Sequence, residues 1–236
     1  MKKVFLMLLV LAVLVAAGLF WLSRNMDSLV KQGIERYGSA MTQAQVTVGA
    51  VNISPTDGKG SLRDLSVGNP PGFKTAHALK AALVEIEIDV STLTKDVLVI
   101  RRIVIEAPDV IYEKGATLTN FDAIAQHIAG SVASTRAKSD KAGSKRFIVE
   151  HLSVHNAKAQ ASAAFMNGKT VALTLTDIQL NNLGRAQGGL TANELGGAVV
   201  AALSAKLKVA ISFDNLLKSS GAALEQLGSG VTGLFK

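Results

Sequence analysis

Cysteine is absent from the 236 residues, which excludes a disulfide framework and any cysteine-based zinc site. Histidine occurs four times, at isolated positions that leave little room for a metal centre. Aromatic residues make up 5%, too few for a surface that stacks on bases, so no nucleic-acid partner is expected. Charged residues are scarce at 18% against 48% hydrophobic, which rules out a disordered chain. Nucleotide loops of the GxGxxG or GxxxxGK[ST] type are missing, as is a G-x-S-x-G nucleophile elbow. His151 and His155 stand four apart on a predicted strand, about 13 Å, too far to share one zinc. These absences weigh against an enzyme, call for no cofactor, and favour a binding, tethering or structural protein.

What is present begins with a long apolar run. After Met1-Lys2-Lys3, residues Val4 to Leu22 carry no charge. As a helix the run spans roughly 28 Å, about one hydrocarbon core. It reads as a transmembrane anchor over 1–25, with Val4, Leu8, Leu11, Val15, Leu19, Trp21 and Leu22 facing lipid and Trp21 in the interfacial belt. A signal peptide has the same order, and Ala16-Ala17-Gly18 offers small residues for cleavage. Cleavage would leave Leu19-Phe20-Trp21-Leu22 at a new terminus, so the uncleaved anchor is preferred. Basic residues first and the apolar run second give a cytoplasmic N-terminus. The expectation is therefore a single-pass protein of a bacterial inner membrane with its C-terminal part in the periplasm.

Leu29, Val30, Ile34, Tyr37 and Met41 follow a helical spacing, predicting a stalk helix over 26–45. The period then changes. Val84, Ile86, Ile88 and Val90 alternate with Glu85, Glu87 and Asp89, a strand with one apolar face and one solvated face. Those carboxylates are better explained by that solvated face than by acid–base catalysis.

A second pattern recurs, apolar residues spaced Ω-x-Ω-x-x-Ω-x-Ω. Val46, Val48, Val51 and Ile53 form one copy, and Leu98, Ile100, Ile103 and Ile105 another. Phe147, Val149, Leu152 and Val154 form a third; Leu173, Leu175, Ile178 and Leu180 a fourth. A fifth copy, Leu62, Leu65 and Val67, has Gly60 where the first apolar residue belongs. In a regular strand the x-x step would send half of each set to the opposite face. One inserted residue, a β-bulge, keeps the set together and bends the strand. The copies follow no fixed period, which excludes a leucine-rich solenoid.

The turns Pro55-Thr56-Asp57-Gly58, Asn69-Pro70-Pro71-Gly72 and Asn167-Gly168 separate about eight strands. Phe121, Ile124, Ala125, Ile128, Ala129 and Val132 mark an amphipathic helix over 120–134, capped near Asn120. A basic loop, 135–146, follows it. The capping box Thr191-Ala192-Asn193-Glu194 opens amphipathic helices over 191–236, which either cover the sheet or lie on a membrane. The expected fold is α+β: the transmembrane helix, then over 46–190 a curled, mainly antiparallel sheet, a half-pipe, with covering helices.

Three stretches carry a resemblance: Ile34 to Gly38, Gly60 to Phe73, and Val99 to Glu113 followed by Asn120. Together they resemble the AsmA-like family, over roughly residues 1–130, in a short member. The resemblance implies an anchored protein with a curled sheet facing the periplasm, linked to outer-membrane biogenesis and to phospholipid transport along an apolar groove. It makes membrane phospholipid and envelope proteins the expected partners. Here the groove would be lined by Val84, Ile86, Ile88, Ile103, Ile105, Leu152, Val154, Ile178 and Leu180. Two functions stay open: a lipid-handling module with an open groove, or an adaptor whose apolar face is filled by its own helices.

Overall fold

The structure is a computed structural model that describes residues 25–136 and 145–210. The chain runs β1 (Val46–Thr47), β2 (Ala50–Ser54), β3 (Lys59–Val67), β4 (Leu79–Ile88), β5 (Val97–Glu106) and β6 (Asp109–Lys114). Helix α2 (Asn120–Arg136) follows, then β7 (Arg146–His155), β8 (Lys158–Ala163), β9 (Val171–Thr174), β10 (Ile178–Leu183) and helix α3 (Ala192–Ala210). Helix α1, described over 25–42, precedes them. All ten strands belong to one sheet.

The pairings reduce these ten strands to six tracks. β1 and β2 both pair with β3; β5 and β6 both pair with β4. β7 and β8 continue the same way beside β5 and β6, and β10 and β9 beside β7 and β8. Four tracks are therefore single long strands broken near their middle. The breaks share a line across the sheet: Gly49, then Asp64 inside β3, then Ala107, Asn156 and residues 175–177. Asp64, Ala107 and Asn156 all have φ near +50°. At Gly49 a Cβ would sit 2.9 Å from the Asp64 side chain, so only glycine fits this close approach. Asp177 accepts from the Asn156 N–H at 3.1 Å and pairs with His155 Nδ1 at 2.8 Å, holding one break closed.

The x-x steps of the apolar pattern fall on irregularities. Those of the first, fifth and fourth copies meet this line at Gly49, Asp64 and Thr176-Asp177. In β5 the step at Arg101-Arg102 coincides with a register shift, since Glu87 faces Arg102 and Ile88 faces Ile100. In β7 the step at Glu150 lies beside Asn182, itself at φ +55°.

Two expectations are corrected. In place of the expected mainly antiparallel half-pipe the sheet is mixed and not closed: seven strand pairings are antiparallel, but β5 pairs parallel with β7 and β6 with β8. Alternation reports which face is apolar, not which way the neighbour runs. The crossover through α2 is long enough to return the chain and lay β7 alongside β5 in the same direction. The second correction concerns localisation as a single-pass inner-membrane protein. Among the described residues no helix is long and apolar enough to cross a membrane. α1 places Asp27, Lys31 and Glu35 one turn apart, and that polar stripe suits a sheet edge rather than hydrocarbon. The anchor residues Val4, Leu8, Leu11, Val15, Leu19, Trp21 and Leu22 lie outside the described residues, as does most of the basic loop and the chain after 210.

The stripe on α1 has a specific task. Among the described residues no strand lies beyond the edge strands β1 and β2. Asp27 Oδ1 accepts from Ile53 N–H at 3.0 Å, and Glu35 Oε1 from Val48 N–H at 2.9 Å. Ser39 Oγ accepts from Val46 N–H at 2.9 Å, and Lys31 Nζ donates to Gly49 O at 3.0 Å. Four side chains at four-residue spacing thus satisfy the edge that water or another strand would otherwise claim.

The three helices form one layer over the apolar face. His127 Nδ1 of α2 lies 3.0 Å from Thr42 O at the end of α1. Gly196 of α3 meets Met41, and Gly197 meets Ile128. The capping box forms as read: Glu194 Oε2 accepts from Thr191 N–H at 3.0 Å, and Thr191 Oγ1 from Glu194 N–H at 3.3 Å. The cap of α2 is Thr119, whose Oγ1 accepts from Asp122 N–H at 3.1 Å, rather than Asn120.

Asn120 instead joins a buried polar network around Glu113. The Glu113 carboxyl accepts from the N–H groups of Lys74 and Thr75 at 2.8 Å each and from the Thr75 hydroxyl at 2.7 Å. Asn69 Nδ2 donates to Thr75 O, and Asn120 Nδ2 donates to Asn69 Oδ1 and Ile111 O. Asn120 Oδ1 accepts from Glu113 N–H. The loop 69–77 is pinned to β6 and α2 by this network.

Beside it, His77 is buried, with Nε2 3.2 Å from Asp109 Oδ2 but off the hydrogen-bond axis; neither ring nitrogen has an aligned partner. Burial holds its pKa below the ordinary 6.5, and Asp109 opposes this only partly. The unfolded chain then binds the proton first as pH falls through about 6.5, so stability declines on the acid side. Thermal melts are expected to drop between pH 7.5 and 5.5, and His77→Leu to flatten that dependence. An unchanged slope in the variant would show that His77 is not the group responsible.

Candidate functional site

The nine residues assigned to the groove come together on one face. Because facing strands are in register, they form rows across the sheet. One row reads Val51, Leu62, Val84, Ile105, Val154, Ile178. The next reads Ile53, Gly60, Ile86, Ile103, Leu152, Leu180. Each row crosses six tracks at about 4.8 Å, roughly 24 Å from end to end. Ile88 continues a third row with Ile100, Val149 and Leu183. Val84, Leu152, Val154 and Ile178 are buried; the other five are half-buried.

The two ends of these rows differ. Over β5 and β7 the face is covered by α3, while between α3 and β10 an open hollow of about 560 Å³ remains, lined by Leu175, Ile178, Leu180, Ala205 and Val209. Under Val199 and Leu203, which close on Ile105, Leu152, Val154, Ile178 and Leu180, the gap is about 40 Å³. Lys208 Nζ of α3 lies 2.7 Å from Asp122 Oδ1 of α2 and straps the helix down. Burial pushes the Asp122 carboxyl up, but Lys208 and Thr119 outweigh it and hold it below the ordinary range, while Asp122 raises Lys208. The Asp122 contribution is present above the ordinary carboxylate pKa and lost as pH falls through the lowered one. The Lys208 contribution is present below the ordinary lysine pKa and lost as pH rises through the raised one. The strap is therefore constant through neutral pH.

Over β2, β3 and β4 the face is not filled. A cavity of about 330 Å³ lies between the sheet and α1. Its walls are Met26, Val30 and Ile34 of α1, Val51 and Ile53 of β2, Leu62 of β3, Ile86 and Ile88 of β4, and Leu93. Gly60 sits in its floor. A Cβ there would meet nothing nearer than Asn52 O at 3.7 Å, and its φ is not in the left-handed region. The missing apolar residue of the fifth pattern copy is thus the void itself. Of the nine assigned residues only Ile86 and Ile88 line this cavity. The α1 residues, Val51, Ile53, Gly60 and Leu62 are its other walls, and the lone glycine in the pattern was the signal that marked them.

The opposite face is polar. Arg101 pairs with Asp89 at 3.2 Å, Arg102 approaches Glu87 at 3.9 Å, and Arg185 pairs with Glu150 at 2.7 Å. His151 Nδ1 lies 2.9 Å from Asn181 Oδ1. Glu87 of β4 and Asp89 just beyond it thus face arginines on the solvated side. Among the described residues no group of three or more His, Asp or Glu is placed to hold a metal. Lys145, from the end of the basic loop, donates to the carbonyls of Leu93 and Lys95. Arg146 donates twice to Gly189 O. No family model matches the chain, and neither does any curated protein or solved structure.

Proposed function

We propose that the protein binds the acyl tail of a lipid in the cavity between α1 and β2–β4, as a lipid-binding or lipid-transfer protein and not an enzyme. The observation that carries this reading is the cavity itself: about 330 Å³, walled almost wholly by aliphatic side chains. That is within the range of small-molecule sites, about 300–1,000 Å³. Aliphatic walls without aromatic rings suit a flexible tail and give broad selectivity. Each buried methylene contributes about 0.8 kcal/mol before the cost of ordering the chain. The resemblance of Gly60 to Phe73 and Val99 to Glu113 to AsmA-like proteins points the same way. A second reading, a structural adaptor, draws support from α3, which packs closely onto the apolar face over β5 and β7.

Photo-crosslinking tests the first reading. A phospholipid carrying a diazirine in its tail is expected to label peptides containing Met26 to Ile34, Gly60 to Leu62 and Ile86 to Leu93. Labelling absent from all three peptides would leave the adaptor reading standing.

A further inference from the structure

The two edges of the sheet are treated differently. The β1–β2 edge is closed by Asp27, Lys31, Glu35 and Ser39 of α1. At the opposite edge, β10 is the last strand beside β7, and among the described residues nothing pairs with its outer side. Soluble proteins blunt such edges with charge, proline or cover. β10 reads Ile178-Gln179-Leu180-Asn181-Asn182-Leu183, without a charge or a proline. The nearest charge, Asp177, is already engaged by His155 and Asn156. Phe165 and Val171, on the neighbouring β8–β9 turn and strand, are about half exposed.

We infer that β10 is a pairing edge for a second copy of this chain, joined antiparallel across a two-fold axis. Three features select that partner. First, the α1-guarded edge cannot accept a strand, so a second copy can join only through the β9–β10 edge, and a closed two-fold pairing there sets β10 against β10. Second, a two-fold perpendicular to the sheet places apolar faces together. With the axis at Gln179, Ile178 opposes Leu180 of the other copy on the apolar side, and the two Gln179 amides oppose each other on the polar side. Third, β10 carries no charge that would repel its own copy. The pairing would carry the apolar rows into the second molecule as one face. It does not rest on lipid binding.

The test uses the full chain in mild detergent, sized by light scattering. A dimer is expected. Gln179 is exposed, so Gln179→Lys should leave the subunit folded, with an unchanged circular dichroism spectrum, while placing two ammonium groups across the axis, giving monomers. Mixing Gln179→Lys with Gln179→Glu should restore a dimer containing one of each. The absence of native cysteine permits a second readout: Gln179→Cys should cross-link to itself, whereas Asn181→Cys, about 14 Å from its own copy, should not. A monomeric native chain overturns the inference, as does a dimer indifferent to Gln179→Lys. A chain that dimerises only after residues 211–236 are removed also overturns it, because the edge would then belong to its own C-terminal segment.

Discussion

Glu113→Ala is expected to lower the unfolding free energy by about 3–5 kcal/mol, a large part of the roughly 5–15 kcal/mol available to a domain. Glu113 is 1% exposed. Its removal strands the N–H groups of Lys74 and Thr75 and the Thr75 hydroxyl, each costing about 1–3 kcal/mol when buried unpaired. Some of that is recovered as the loop loosens and admits water. The damage should spread, because Lys74 Nζ also donates to Asn167 Oδ1 at 2.7 Å and so ties the loop to the β8–β9 turn. Glu113→Gln keeps one acceptor oxygen and should lose about half as much. Glu85→Ala, on the exposed face of β4, should change stability by under about 0.5 kcal/mol. Urea denaturation of the three variants decides it: equal midpoints for Glu113→Ala and Glu85→Ala would sink the network as a stabilising element.

Gly60→Ile should abolish most tail binding while leaving the fold intact or firmer. The position lies in a strand, where a β-branched residue is favoured, and space is open above it. Isoleucine would bring four carbons into the cavity. If they displace as many ligand methylenes at about 0.8 kcal/mol each, affinity falls on the order of a hundredfold. The same substitution on a purely structural sheet would raise the melting temperature and alter nothing else. Titration with a fluorescent fatty acyl probe separates the two; an unchanged Kd in a folded variant would move the binding site away from this cavity.

The apolar rows were legible in the sequence because each strand states which side chains share a face. The bulges were legible for the same reason, since Val46 to Ile53 or Leu98 to Ile105 stays on one face only if the x-x step is absorbed. Pairing direction was not legible. Nothing in Phe147 to Val154 distinguishes a strand that runs with β5 from one that runs against it. The position of the opening was only half legible. Gly60 broke the pattern where the cavity lies, but the opposite wall comes from Met26, Val30 and Ile34, whose spacing announced a helix and not what it would face. Nor could the apolar stripe of α3 show that it closes on β7 and β10 rather than on α1. The polar stripe Asp27, Lys31, Glu35 and Ser39 looks like any solvated helix face until the edge strand beside it is known.

The parallel pairing of β5 with β7 governs how quickly the chain can reach this arrangement. β2 to β6 follow one another in sequence with no helix longer than one turn between them, and neighbours such as Ile88 and Ile100 find each other locally. Val97 and Arg146 are 49 residues apart, and closing that loop costs chain entropy before any contact repays it. The meander of β2 to β6 is therefore the natural early structure, with β7 and β8 added afterwards. α3 comes later in the chain than every strand it covers. Until residues 192–210 leave the ribosome, the rows over β5 and β7 have no lid, and a half-made molecule presents its stickiest surface to the cell.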